Sequence, residues 1–131
     1  MARPRHKNPT PTELEILQII WVHGPCTVRD VMNLLGPKHS RAYTSIMSLM
    51  NVMTEKGMLS SNPKGRAFIY SAKISQDKTQ SRMLNDVLNR VFGGSASLVV
   101  THLLNQAKPD SEELNEIHKT ITEFARKKGV K

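Results

Sequence analysis

Hydrophobic and polar positions change their period several times along this chain, and each change marks an element. In "TPTELEILQIIWVHG", Leu14, Leu17, Ile20 and Trp21 recur at helical spacing. Thr10 stands as N-cap, Pro11 takes the first helical position, Glu13 completes a capping box, and Gly24-Pro25 ends the helix. Thr27 with Asp30 opens a second, short helix whose apolar side is Val28, Val31, Met32 and Leu35, before Gly36-Pro37. A third helix is predicted from near Ser40 to about Lys56, with Gly57 placed to adopt the left-handed terminating conformation. Ala42, Ile46, Leu49, Met50 and Met53 gather on one of its sides, a core face in which the methionines act as filler. The period then shortens. Leu59 to Asn62 and Ala67 to Ser71 read as two strands of a hairpin, with Pro63-Lys64-Gly65-Arg66 supplying the turn.

From about Ser75 the helical period returns. Leu84, Val87, Leu88 and Val91 form one stripe, which Gly93-Gly94 ends. Ser95 caps a segment carrying Leu98, Val99, Leu103 and Leu104, and Asp110 with Glu113 makes another capping box, followed by Leu114, Ile117, Ile121 and Phe124. Three helices with narrow apolar stripes bury too little within one small chain, so self-association is the economical reading. Leu84, Leu88, Val91, Leu103, Leu114, Ile117, Ile121 and Phe124 are the expected dimerisation residues. A bundle that only packs on its own hairpin is the alternative. The expected organisation is therefore a flexible basic arm over 1–9, a winged-helix domain over 10–74 and a helical dimerisation domain over 75–131. The class is mainly α with a small β-hairpin: a winged helix-turn-helix followed by C-terminal helices.

Composition changes this picture in one respect, the partner. Lys and Arg number 19 against 11 Asp and Glu, a net charge of +8 that suits a polyanion. No apolar run approaches the roughly 20 residues that span a bilayer, and no secretory signal opens the chain, so a cytoplasmic protein with no membrane association is expected. Cys26 is the single cysteine, which excludes an internal disulfide; a structural role is favoured over a redox-sensing thiol. The five histidines show no metal-ligand spacing, "FGGSAS" lacks the phosphate-loop pattern, and no Ser-His-Asp set can be argued. Neither an enzyme, a cofactor nor a metal is expected.

The side of the third helix opposite its core face carries Arg41, Thr44, Ser48 and Asn51, with Ser45 and Met47 on its flanks. Such small hydroxyls, an amide and one Arg are unlike an ordinary solvated helix, where Glu–Lys pairs would be expected. They suit a DNA major groove. Small side chains allow close approach, Ser and Thr contact bases or phosphates, and Asn can read adenine. Tyr43 joins this set of candidates. Glu55 shares the side but lies near the C-terminal end, whereas recognition helices read mainly through their N-terminal residues. Lys64 and Arg66 at the hairpin tip, with Arg3, Arg5 and Lys7 of the arm, are candidate phosphate contacts on double-stranded DNA. Two other readings share these features: a nonspecific architectural DNA binder and a winged-helix protein-interaction module.

The segments "TELEILQIIWVHGPCTVRDV", "AYTSIMSLMNVMTEKGML", "GRAFIYSA" and "VFGGSASLVVTHLL" together resemble the penicillinase-repressor (BlaI/MecI) family of winged-helix regulators, from about Pro11 to Leu104. The resemblance implies a homodimer that binds a pseudo-palindromic operator and represses transcription. Thr44, Ser45 and Ser48 match the hydroxyl-rich part of that family's recognition helix, and Lys64, Gly65 and Arg66 match its wing. Val52 departs from the pattern, being commonly Arg in relatives. Thr101-His102 stands where the antibiotic-resistance repressors carry an Asn-Phe bond cut by a sensor protease, so the resemblance names no regulatory protease for this chain. The cysteine pattern of the copper-responsive branch is absent from this sequence.

Overall fold

The computed structural model describes residues 8–36 and 42–129, which form six helices and one hairpin in the order α1 (Pro11–His23), α2 (Val28–Leu35), α3 (Tyr43–Glu55), β1 (Leu59–Lys64), β2 (Ala67–Ala72), α4 (Gln76–Arg90), α5 (Ala96–Ala107) and α6 (Ser111–Lys127). Two compact units divide the chain, Met1–Asn85 and Asp86–Lys131, with the boundary inside α4.

The first unit is a winged helix. Both expected capping boxes are formed, Thr10 with Glu13 and Thr27 with Asp30, each pairing a side chain with the other residue's backbone N–H. The buried stripe of α1 is Glu13, Ile16, Leu17 and Ile20, rotated from the stripe predicted above; Leu14 and Trp21 are only half-buried. With Val28 and Val31 of α2, Ile46, Met50 and Met53 of α3, and Met58, Leu59 and Tyr70 around the hairpin, these apolar residues make one core. Trp21 lies at its edge and donates its indole N–H to the Ile74 carbonyl at 3.0 Å, which fixes the chain as it leaves β2.

The third helix corrects one expectation. It begins at Tyr43, not near Ser40, because Ala42 is extended (φ −67, ψ 152) and occupies the N-cap without a side-chain hydrogen bond. Ala42 is accordingly exposed rather than part of the core face.

The hairpin is also longer and its turn tighter than predicted. Its ladder runs from Leu59↔Ala72 to Lys64↔Ala67, leaving only Gly65-Arg66 as the loop. Gly65 has φ 61, and Arg66 is not among the positive-φ residues, the pattern of a type II′ turn with glycine first. In a two-residue hairpin the pair next to the loop is hydrogen-bonded, so the following pair, Pro63↔Phe68, is not. The missing N–H of Pro63 therefore costs the ladder nothing, and proline sits inside a strand. Cys26 adds a third backbone segment: its N–H donates to the Tyr70 carbonyl at 3.0 Å and its carbonyl accepts from the Tyr70 N–H at 2.7 Å.

In the second unit, Gly93 (φ 58) and Gly94 (φ 83) turn the chain from α4 towards α5, both in the left-handed region where a side chain would be strained. Ser95 caps α5 and Asp110 caps α6, each side chain accepting from the backbone N–H three residues on. No residue of α5 or α6 is buried.

Candidate nucleic-acid interface

Helix α3 presents its buried side to α1 and α2 through Ile46, Met50 and Met53, which leaves Thr44, Ser45 and Ser48 on the far side. These three hydroxyl residues, with Leu49 and Val52, line an open depression of about 480 Å³. Its rim is made of short side chains, so a large, regular partner can approach the helix backbone closely. The start of α3, where the N-cap Ala42 makes no side-chain hydrogen bond, lies at the same end as Thr44 and Ser45, and first-turn N–H groups and the helix dipole there favour phosphate.

Two ties hold this helix in place. Glu13 of α1, 1% exposed, accepts from the Thr10 N–H at 3.0 Å and from the Lys56 ammonium at 2.7 Å, which clamps the C-terminal end of α3 onto α1. Burial pushes the Glu13 carboxyl up, but Lys56 and the hydrogen bonds from Thr10 outweigh it and hold the group below its ordinary value. At the other end the Arg29 guanidinium lies 5.0 Å from the centre of the Tyr43 ring, a cation–π contact between α2 and the first residue of α3.

The hairpin is held to the same helix. Tyr70 donates its hydroxyl proton to Asn51 Oδ1 at 2.9 Å. Asn51, expected among the base-reading residues, thus has its side-chain carbonyl occupied by the wing. Tyr43, likewise a candidate, is 39% exposed with Arg29 over its ring. Lys64 and Arg66 are exposed at the hairpin tip. The Asp30 carboxyl is held low by backbone and side-chain hydrogen bonds with Thr27, and further by the charge of Lys64. Arg3, Arg5, Lys7 and Arg41 lie outside the described residues.

Cys26 is 3% exposed, and its thiol donates to the Gly24 carbonyl at 3.2 Å. Burial raises its pKa, and the nearby Asp30 raises it further, so the thiolate that oxidants attack is disfavoured. Among the described residues, no group of three or more His, Cys, Asp or Glu is placed to hold a metal. None of their helices is long and apolar enough to cross a membrane.

A three-helix unit with an exposed hydroxyl face on its third helix and a basic hairpin beside it is the geometry of a winged-helix DNA reader. The family model for the penicillinase repressor matches residues 9–123, across both units. The chain belongs to the penicillinase repressor family. Members of that family are transcriptional regulators, not enzymes. The chain is similar to the penicillinase repressor of Bacillus licheniformis, at 25% identity over 116 residues that cover 88% of this chain and 91% of that protein. It is similar also to the penicillinase repressor of Staphylococcus aureus, at 16% identity over 115 residues and the same coverages of 88% and 91%. The fold matches a solved transcriptional regulator from Thermotoga maritima with a TM-score of 0.51 and 19% identity, over 88% of this chain and 72% of that one.

Glu13, Lys56, Arg29 and Tyr70 are the residues that sequence reading missed. Glu13 stands out in the sequence only as a cap, although its place on the buried stripe of α1, three residues before Ile16, is a usable signal. Arg29 and Tyr43 belong to different helices, so nothing local announces their contact.

Proposed function

We propose that this protein is a homodimeric, sequence-specific transcriptional repressor that binds a pseudo-palindromic operator. The observation that carries the reading is the Thr44, Ser45 and Ser48 face, on a helix held at one end by Glu13–Lys56 and at the other by Arg29–Tyr43. A helix locked in this way delivers its side chains to base edges at a fixed register, as direct readout requires. Thr44, Ser45 and Ser48 read bases. Lys64 and Arg66 bind phosphates and set the register, as do the basic residues of the N-terminal arm and Arg41. Asn51 holds the wing to the reading helix and makes at most a secondary base contact through its amide N–H groups.

Self-association is supported by apolar surface that one chain leaves uncovered. Leu84, Val91, Leu103, Leu114, Ile121 and Phe124 are between 44% and 65% exposed. Along α6, Leu114, Ile117, Ile121 and Phe124 follow one another at spacings of three, four and three, the seam of two packed helices. Two copies related by a two-fold axis would place two copies of α3 in successive major grooves, and an operator with inverted half-sites follows. Occupying a promoter then excludes polymerase, in the cytoplasm where promoters lie.

Thr44→Ala with Ser48→Ala tests the reading face. Binding to the preferred duplex should fall while binding to an unrelated duplex stays unchanged, so that discrimination collapses. Discrimination that survives the change would mean that other residues read the bases, and an unchanged protein that prefers no duplex would leave a nonspecific architectural role as the better account.

A further inference from the structure

The depression on α3 holds two apolar side chains among its hydroxyls, Leu49 and Val52. Leu49 is explained by the core, since it is one of the half-buried apolar residues packed against it. Among the described residues Val52 is not packed against that core, although it too is only partly exposed. Thr44, Ser48 and Val52 stand at successive intervals of four, so Val52 continues the hydroxyl strip by one helical turn, about 6 Å further along the axis. Of the three residues on that strip, Val52 alone has neither donor nor acceptor to offer.

The major groove presents one apolar group, the C5-methyl of thymine; the other base edges there offer donors and acceptors. Valine set against those edges would displace their water without replacing its hydrogen bonds, which is unfavourable. Against a thymine methyl it buries apolar surface on both sides.

We infer that Val52, backed by Leu49, is a specificity-determining residue that selects thymine in each half-site through its C5-methyl group. The inference rests on the reading of α3 as the DNA-recognition helix. It adds one base identity to that reading, at a position that a hydroxyl-only face would leave undetermined.

Deoxyuridine pairs as thymine does and lacks only the methyl, so it isolates the contact. The operator selected by the full-length protein is resynthesised with each symmetry-related pair of thymines replaced by deoxyuridine, one pair at a time. Affinity is read by fluorescence anisotropy at fixed salt. One pair should weaken binding about threefold to fivefold per half-site, and about tenfold or more for the dimer. Val52→Ala should bind the thymine and deoxyuridine operators within about twofold of each other at that pair; alanine is a strong helix former, and a melting curve checks the fold. Specific binding with no thymine methyl effect, or with an effect that persists in Val52→Ala, overturns the inference and leaves the repressor reading standing. Failure to select any operator overturns both.

Discussion

Lys56→Met probes the clamp that positions the reading helix. The substitution removes the ammonium 2.7 Å from Glu13 Oε2 and keeps most of the aliphatic length of the side chain. It leaves a carboxylate that is 1% exposed, with the Thr10 N–H still donating to Oε1 at 3.0 Å. Breaking a buried pair from one side costs about 3–5 kcal/mol. Lys56 is partly open to water, with 26% of its side chain exposed, so solvent already screens part of its attraction. The expected loss is therefore about 2–3 kcal/mol. Glu13→Gln should cost less, about 1 kcal/mol, because the amide oxygen still accepts from Thr10 and Lys56 is free to turn towards solvent.

The pH dependence gives the clamp a second signature. The folded Glu13 carboxyl lies below its ordinary value, so its contribution is complete above about pH 4.3 and is lost as pH falls through the folded value. Without Lys56, burial is less opposed and the folded value rises. A protonated Glu13 needs no counter-charge, so the deficit of Lys56→Met should shrink as the solution approaches pH 4. Urea unfolding followed by far-UV circular dichroism, at one fixed protein concentration, measures all three quantities. A Lys56→Met loss under about 0.5 kcal/mol, or a Glu13→Gln loss larger than it, would refute the argument.

Three further outcomes are expected. Arg66→Ala should weaken binding to all duplexes alike and lower the slope of log affinity against log salt by about 0.9 for each phosphate no longer neutralised, nearly two units for a dimer; an unchanged slope removes the wing from the interface. Leu103→Asp with Ile121→Asp should give monomers by sedimentation velocity, because unpaired carboxylates within an apolar seam cannot be satisfied; a persistent dimer would place the interface elsewhere. Tyr70→Phe removes the hydroxyl bonded to Asn51 and should cost about 1 kcal/mol of stability, with a loss of operator affinity that exceeds the loss for random DNA; equal losses would mean that the wing is not aligned through Asn51.

Much of the winged helix is legible in the sequence because its signals are local. Thr10 with Glu13, and Thr27 with Asp30, fix helix starts within four residues of chain, and Gly57 fixes an end. What escapes depends on register or on distant partners. The hairpin turn reads as four residues from Pro63 to Arg66, since proline normally marks the end of a strand. Only the pairing of Lys64 with Ala67 shows that Pro63 falls at a non-hydrogen-bonded site, where it is harmless. Alanine has no side-chain acceptor to offer, yet Ala42 stands at the N-cap and the helix starts at Tyr43.

The reading face divides along the same line. Thr44, Ser45 and Ser48 follow from the helical period alone, once Ile46, Met50 and Met53 are taken as core. Asn51 sits at the edge of that face, where a difference of roughly 20° to 40° around the helix decides between the groove and the hairpin. Tyr70, nineteen residues later, supplies the hydroxyl that decides it. Periodicity assigns a residue to a side, whereas the partner that claims it comes from elsewhere in the chain.

The most direct test of the central claim is selection of binding sites from random duplex DNA by the full-length protein at near-physiological salt, followed by sequencing of the retained duplexes. Enrichment of one inverted repeat, with half-sites about one helical turn or a small multiple apart, is the predicted result. Retention of DNA without any common motif, or no retention at all, would contradict a dimeric sequence-specific repressor.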